Sequence, residues 1–521
     1  MRLLFQLIGK KKWLGMINKT VVDKLVAIRA NEAFKKHESN FFDDIYRLEA
    51  DKTMGIIYQL MPPRKKWLNV GQSFRTSHNL TEINKRRISL TIRDDIEKGR
   101  QLPYLDKLEA FSNLVEAKLV GDEPLARPSI SFVPKDHIYW RPITLYKLAD
   151  RIAINIAASL MTDNCDHLLE DCAVAFRSKE FRDRTGLNNH HEVFKTILHW
   201  KMSKNVPVYV AEADIKGFYD NIDKNHIKSW LAANNINEPL IDSYLDGFSF
   251  YGYLLGEAEA AGKKVKHYQS EIRGNILNYG VPQGGALSCF FANIVFLPID
   301  KKIMDLVRSS NGELIYYRYC DDMVILGTNQ ELVREAFSIY LEGTKQLDLP
   351  IHSPVKVETY SKDFWAAKSK DVYQWSKDAI PWFSFLGYQM RYDNVLRMRP
   401  KSIAKELEAQ KTIVDKILYR GWRSKEPLGE NILYKLENRF FKRITGFCRR
   451  NFGKAEGFSW NKGYSLLNQY PHLSEQFRFL DKKKIKQLNR LVKKGFKRPP
   501  FYASYYQTMR RNYVSNDIGD L

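Results

Sequence analysis

The stretch "GELIYYRYCDDMVILG", residues 312–327, constrains this chain more than any other. An aromatic and apolar run over 313–319 is followed by Cys320 and Asp321, and then by a second apolar run over 322–327. Both runs are strand-like and the gap between them suits a tight turn, so the segment reads as a β-hairpin. Its tip carries two adjacent carboxylates, Asp321 and Asp322. Asp is a routine turn former, which gives the pair an ordinary structural reading as a polar turn. The other reading is that it holds a cation, because two carboxylates near a core lose water and repel each other.

A third carboxylate stands upstream, in "VPVYVAEADIKGFYDNID", residues 206–223. Val206, Val208 and Val210 alternate as in a half-buried strand, which would deliver Asp214 near its end, before the break at Gly217. If this strand pairs with the hairpin, Asp214, Asp321 and Asp322 converge, and three such groups cannot all stay ionised without a cation. All-oxygen ligands favour Mg²⁺, which keeps several waters and takes substrate phosphates as further ligands. Two such ions, ~3.5–4 Å apart, serve in-line phosphoryl displacement. Between the carboxylates lies "NYGVPQGGALSCFFANIVF", residues 278–296, a Gly- and Pro-rich loop that becomes an apolar helix-like run. Gly284 and Gly285 allow close backbone approach to a ligand, and Gln283 offers both a donor and an acceptor.

Charge narrows the partner. The chain has 521 residues, a net charge of +23 and a pI of about 9.5, the signature of a polyanion-binding protein. Residues 401–521 alone carry 27 Lys and Arg against 11 Asp and Glu. They open with a helical pattern (Ile403, Leu407, Ile413, Ile417) and continue through "DKKKIKQLNRLVKKGFKRPP" to a tyrosine-rich tail. Lys482, Lys483, Lys484, Lys493 and Lys494 are the candidate phosphate contacts. The tail tyrosines 502, 505, 506 and 513 could stack on bases, pack in the core, or accept a first nucleotide. The five cysteines contain no CxxC pair, so no zinc site is expected and a reducing, cytoplasmic setting is. No run of ~18 apolar residues exists, so neither a spanning helix nor a membrane partner is expected.

Asp214 in "DIKGFYDNID", the "VPQGGALS" loop and "YCDD" stand in the order and rough spacing of motifs A, B and C of reverse transcriptases, and the chain resembles that family. The likeness extends to "SFVPKDHIYWRPITLYKLADRIAINIA" (131–157), similar to the fingers segment, with Lys135 and Arg141 in the basic positions. "LDLPIHSPVKVETY" (347–360) resembles motif D, with Lys356 in place, and "FSFLGYQM" (383–390) resembles the primer-grip motif E. The wording is most similar to bacterial enzymes: group II intron, retron and, most of all, stand-alone defence-associated reverse transcriptases. Cys320 stands where alanine is usual in many relatives, and Cys289 where the intron enzymes usually have proline; neither departure removes a metal ligand.

The resemblance implies an α+β right-hand polymerase. An N-terminal mostly helical extension would span 1–100, fingers 101–205, palm 206–395, and a basic helical thumb with its tail 396–521. It implies an RNA-directed DNA polymerase, with anti-phage defence as its setting; a group II intron-type maturase and a retron-type enzyme with a dedicated non-coding RNA are the alternatives. Two Mg²⁺ ions, with Mn²⁺ as a substitute, would sit on Asp214, Asp321 and Asp322, with the Ile215 carbonyl as an extra ligand. Lys135 and Arg141 would neutralise the incoming triphosphate. Gln283 and Gly284 would shape the nucleotide pocket, Tyr219 would exclude the 2′-hydroxyl, and Lys356 would assist the leaving pyrophosphate. Partners would be an RNA template, the DNA product and deoxynucleotides, with a non-coding RNA or protein partner in addition.

Overall fold

A computed structural model describes residues 10–35, 44–77, 80–135, 138–187, 190–204, 206–267, 275–356, 359–423, 436, 440, 443–444, 464, 467, 475–495 and 504–508. The chain forms two compact units, each drawn from three stretches of sequence. One comprises Met1–Phe181, Ile215–Met304 and Ile339–His352; the other comprises Arg182–Asp214, Asp305–Ser338 and Ser353–Leu521. Helices and antiparallel sheets alternate through both, an α+β architecture as expected. No helix among the described residues is long and apolar enough to cross a membrane.

The first unit opens with helices Lys10–Lys35, Asp44–Leu60, Leu80–Glu97 and Pro103–Val120. The last begins on a proline, whose fixed φ suits a first helical turn, and stops at Gly121 in the left-handed region (φ 87°). Leu108, Val115 and Leu119 recur at helical spacing and supply its buried face. Strands β1 (Ser129–Pro134) and β2 (Trp140–Leu145) pair antiparallel, with Val133 opposite Arg141. The helix Leu148–Cys165 follows, and nearly all of its apolar side chains are buried. The loop 279–285 then enters the helix that starts at Ala286, whose Leu287, Phe290, Phe291 and Ile294 are core residues.

The second unit is built on a four-stranded antiparallel sheet in the order β4–β5–β3–β6. Its strands are β3 (Val208–Ala213), β4 (Leu314–Tyr319), β5 (Asp322–Gly327) and β6 (Lys370–Trp375). The expected hairpin is present, and its second strand has the expected bounds. Val208 and Val210 point into the core, whereas Val206 lies before the strand and is exposed. A second sheet contains β7 (Trp382–Phe385), β8 (Tyr388–Arg391) and β9 (Leu396–Met398). Leu386 and Gly387 both have positive φ, the requirement of a two-residue turn whose twist matches its strands. Helices Pro400–Arg423 and Glu475–Val492 pack together, and Arg490 reaches Asp415 across them at 2.6 Å.

Candidate active site

Strand pairing brings the carboxylates to one end of the sheet. Ala213 pairs with Met323 across β3 and β5, so Asp214, the next residue, and Asp322, the preceding one, occupy the following cross-strand step. Tyr319 pairs with Asp322 across β4 and β5, which leaves Cys320 and Asp321 as the two turn residues. Cys320 has φ 62°, a value usually taken by glycine at the first central position of such a turn. Backbone strain of this kind costs about 1–3 kcal/mol and collects at functional sites.

Hydrogen bonds hold these groups from behind. Arg318, with no solvent exposure, donates from Nη1 to the Cys320 carbonyl at 2.9 Å. The Asp214 amide donates to Ser369 Oγ at 3.0 Å, and Lys368 Nζ lies 2.8 Å from Asp214 Oδ2. Glu212, two residues upstream on the same face of β3, accepts from Lys370 Nζ and from the Tyr373 hydroxyl, each at 2.6 Å.

The carboxyl of Asp322 is strongly perturbed at this end of the sheet. The surrounding protein pushes the Asp322 carboxyl up to about 7, with further upward pressure from Asp321, Asp214 and Glu212, while Arg399 pulls it down. Asp322 is nevertheless open to solvent, because it borders a concave cavity of about 540 Å³ whose walls also include Asp214, Glu212, Lys368, Gln389 and Arg399. Water reaches the carboxyl from the cavity, and protein crowds it on the other sides. Among the described residues, no group of three or more His, Cys, Asp or Glu side chains is placed so that it could hold a metal ion as it stands. The all-oxygen, mutually repelling set of Asp214, Asp321 and Asp322 fits a hard divalent cation by its chemistry. Ile215, the residue after Asp214, is buried. Lys356 is exposed and is not part of the cavity wall.

A second cluster lies within the first unit. Lys135 follows β1, Arg141 is on β2, and both are exposed. Their charges act on Asp220, whose Oδ1 accepts from Gln283 Nε2 at 2.6 Å. Burial pushes the Asp220 carboxyl up to about 7; the Gln283 hydrogen bond, then Lys135 and Arg141, oppose that rise. The Gln283 carbonyl accepts from the Thr144 amide at 3.2 Å, which ties the loop to β2. Gly284 has φ 89°, and a Cβ on Gly285 would lie 1.9 Å from the Tyr244 hydroxyl oxygen, so both positions require glycine. Phe218 is buried against Phe296, whereas Tyr219 is only partly buried, and its carbonyl accepts from the Val281 amide at 2.9 Å.

The basic C-terminal residues divide. Lys482, Lys493 and Lys494 are exposed, and Lys483 lies with its Nζ 5.1 Å from the Phe479 ring centre. Lys484 departs from the sequence expectation: it is buried, and its Nζ lies 3.1 Å from Asp481. It shares a helical stripe with Phe477, Leu480, Leu488 and Leu491, which turns it inward. Tyr505 is likewise fully buried, its hydroxyl bonded to Glu406, so its place is in the core. Tyr506 packs on Arg478, and Tyr502 and Tyr513 lie outside the described residues.

Sequence reading missed Lys368, Glu212 and Asp220. Glu212 and Asp220 stood inside the quoted motif stretch, where alternation from Asp214 would have placed Glu212 on the same face. Lys368 meets Asp214 over a separation of 154 residues, and no local pattern signals it.

Residues 133–390 match the family described as "Reverse transcriptase (RNA-dependent DNA polymerase)". Among solved structures, the chain is similar to telomerase from Candida albicans in complex with a fragment of telomeric RNA, at 14% identity and a TM-score of 0.38, covering 78% of this chain and 63% of that one. It thus spans less than two thirds of that relative's length. It is also similar to apo telomerase from Candida tropicalis, at 10% identity and a TM-score of 0.34, covering 91% of this chain and 83% of that one. No curated protein matches it.

Proposed function

We propose, from the match of residues 133–390 to the reverse transcriptase family, that this chain is a nucleotidyltransferase of the RNA-directed DNA polymerase class and that it adds deoxynucleotides to a DNA strand at Asp214, Asp321 and Asp322. The observation that carries this reading is the cross-strand placement of Asp214 beside Asp322, with Asp321 at the adjoining turn. The three carboxylates, with the Ile215 carbonyl, would hold two Mg²⁺ ions, and Mn²⁺ could replace them. Such ions stabilise the attacking and leaving oxygens of an in-line displacement.

The chain's own side chains bind, orient and exclude. Arg141 and Lys135 bind the triphosphate, Arg141 through its planar fork. Gln283 and Gly284 line the nucleotide pocket. The Tyr219 ring meets the sugar and leaves no room for a 2′-hydroxyl. Lys356 supplies a proton to the leaving pyrophosphate. Lys482, Lys483, Lys493 and Lys494 hold the backbone of the RNA template and DNA product. The biological setting we propose is bacterial anti-phage defence, with a non-coding RNA or protein partner; its support is the resemblance of "DIKGFYDNID" and "FLGY" to bacterial enzymes, taken with an N-terminal extension and a basic thumb.

Asp321→Asn tests the catalytic reading. The variant should remain folded and lose metal-dependent deoxynucleotide incorporation by roughly a thousandfold or more. Incorporation at near wild-type speed would remove the assignment. Phage challenge of cells carrying wild type or Asp321→Asn tests the setting, since defence that survives the substitution would not depend on synthesis.

A further inference from the structure

Asp220 is the most deeply placed ionisable group of the second cluster. It is 6% exposed and sits in the single helical turn Phe218–Asn221, which Gly217 opens from the left-handed region (φ 59°). Asn221 clamps that turn, donating from Nδ2 to the Lys216 and Gly217 carbonyls at 2.8 and 3.0 Å and accepting from the Tyr251 hydroxyl at 2.9 Å. Two backbone bonds, Val281 N to Tyr219 O and Gly280 N to Ile222 O, each 2.9 Å, fix the glycine loop against the same turn. Both ends of the 2.6 Å Asp220–Gln283 hydrogen bond are therefore anchored.

An ionised carboxylate only accepts hydrogen bonds, and a primary amide has one donating and one accepting end. With Asp220 ionised, the Gln283 nitrogen must face it, and Oε1 is the end of the amide left to accept from another partner. A protonated Asp220 could donate to Oε1 instead, and the amide would be free to present its nitrogen. Lys135, after β1, and Arg141, on β2, are the charged side chains among the described residues that act on Asp220, and both favour the ionised form.

We infer that Asp220 is a positioning residue that locks the Gln283 amide with its oxygen toward the nucleotide pocket, so that the pocket selects a nucleotide bearing a hydrogen-bond donor at that point. This rests on the proposed reading of the pocket. Asp220 touches no reacting atom, so its loss acts on nucleotide affinity more than on the rate of chemistry.

The test compares wild type, Asp220→Asn and Asp220→Ala on one RNA template with a DNA primer. Asp220→Asn keeps the shape but lets the amide take either orientation, and it guards against misfolding of Asp220→Ala. KM for the deoxynucleotide should rise roughly tenfold, with kcat within about twofold and template affinity unchanged. The pH dependence separates positioning from charge. In wild type, KM should rise as pH falls through the Asp220 titration near 7, because the lock is lost. In Asp220→Asn it should follow only the nucleotide's own phosphate. A wild-type KM that falls on acidification would show that Asp220 acts merely as a repelling charge, and equal curves would show no role; either overturns the inference. Calorimetric binding of the deoxynucleotide to the template–primer complex runs alongside. If wild type incorporates no deoxynucleotide, the catalytic reading fails, while the binding data still decide on Asp220.

Discussion

Arg318 and Cys320 are two residues apart, and the guanidinium of the first donates to the carbonyl of the second at 2.9 Å from a fully buried position. The contact supports a turn whose Cys320 has positive φ and whose next residue is Asp321. Arg318→Met would keep much of the buried volume and remove the donor. We expect a stability loss of about 1–3 kcal/mol from the stranded carbonyl. Incorporation should fall further than stability, since the carboxylates lose their alignment. Thermal melting and single-nucleotide incorporation on one preparation measure both; full activity in the variant would show that the turn holds itself.

Asp322→Asn should separate function from stability. The folded-state pKa of Asp322 lies above its ordinary value, so the folded protein binds this proton more tightly than the unfolded chain. The penalty on folding grows as pH rises from the ordinary carboxylate range to about 7 and is constant above it, and it is absent at low pH, where the group is protonated in both states. Without added metal, the variant should melt a few degrees above wild type at pH 8 and level with it near pH 4, while lacking polymerase activity. Melts that differ equally at both pH values would assign the effect to something other than this ionisation.

Tyr219→Val should relax sugar choice. Phe218 is buried against Phe296, which leaves Tyr219 as the aromatic of the pair that can meet a ligand. The efficiency ratio of deoxynucleotide to ribonucleotide should drop on the order of tenfold or more, with metal dependence retained. A ratio that does not move would place the sugar contact on another side chain.

Lys482 and Lys483 should behave differently from Lys484. Charge reversal at the first two should reduce the dependence of RNA affinity on salt, by roughly one unit of log–log slope per lost phosphate contact. Lys484→Glu should instead lower the melting temperature, because it sets a second carboxylate beside Asp481 in a buried stripe. An equal salt effect from all three would contradict the inward placement of Lys484.

The legible parts of the site were those encoded by local pattern. The two apolar runs around Cys320 and Asp321 define a hairpin whose second strand starts at Asp322 as expected, and alternation through Val208 and Val210 brings Asp214 to the end of β3. What escaped was set by distant chain meeting distant chain. Lys368 at Asp214, Tyr373 and Lys370 at Glu212, and Gln283 at Asp220 are contacts over 63 to 161 residues. Lys484 was a different failure: its step in the Phe477, Leu480, Leu488, Leu491 stripe was present in the sequence, but a lysine in a basic run invites an exposed reading.

The strand order β4–β5–β3–β6 has a consequence for synthesis. β3 lies between two strands that are made much later, and Ala213 waits roughly a hundred residues for its partner Met323. At a translation rate of ~5–20 residues per second, that interval is roughly 5–20 s, during which a valine-rich segment has left the ribosome with neither neighbour yet made. The nascent chain therefore carries an adhesive edge for most of the time that the middle of the protein is being built. Ribosome-bound chains halted before Met323 should engage holding chaperones through residues 206–213, and chains that extend past Trp375 should release them.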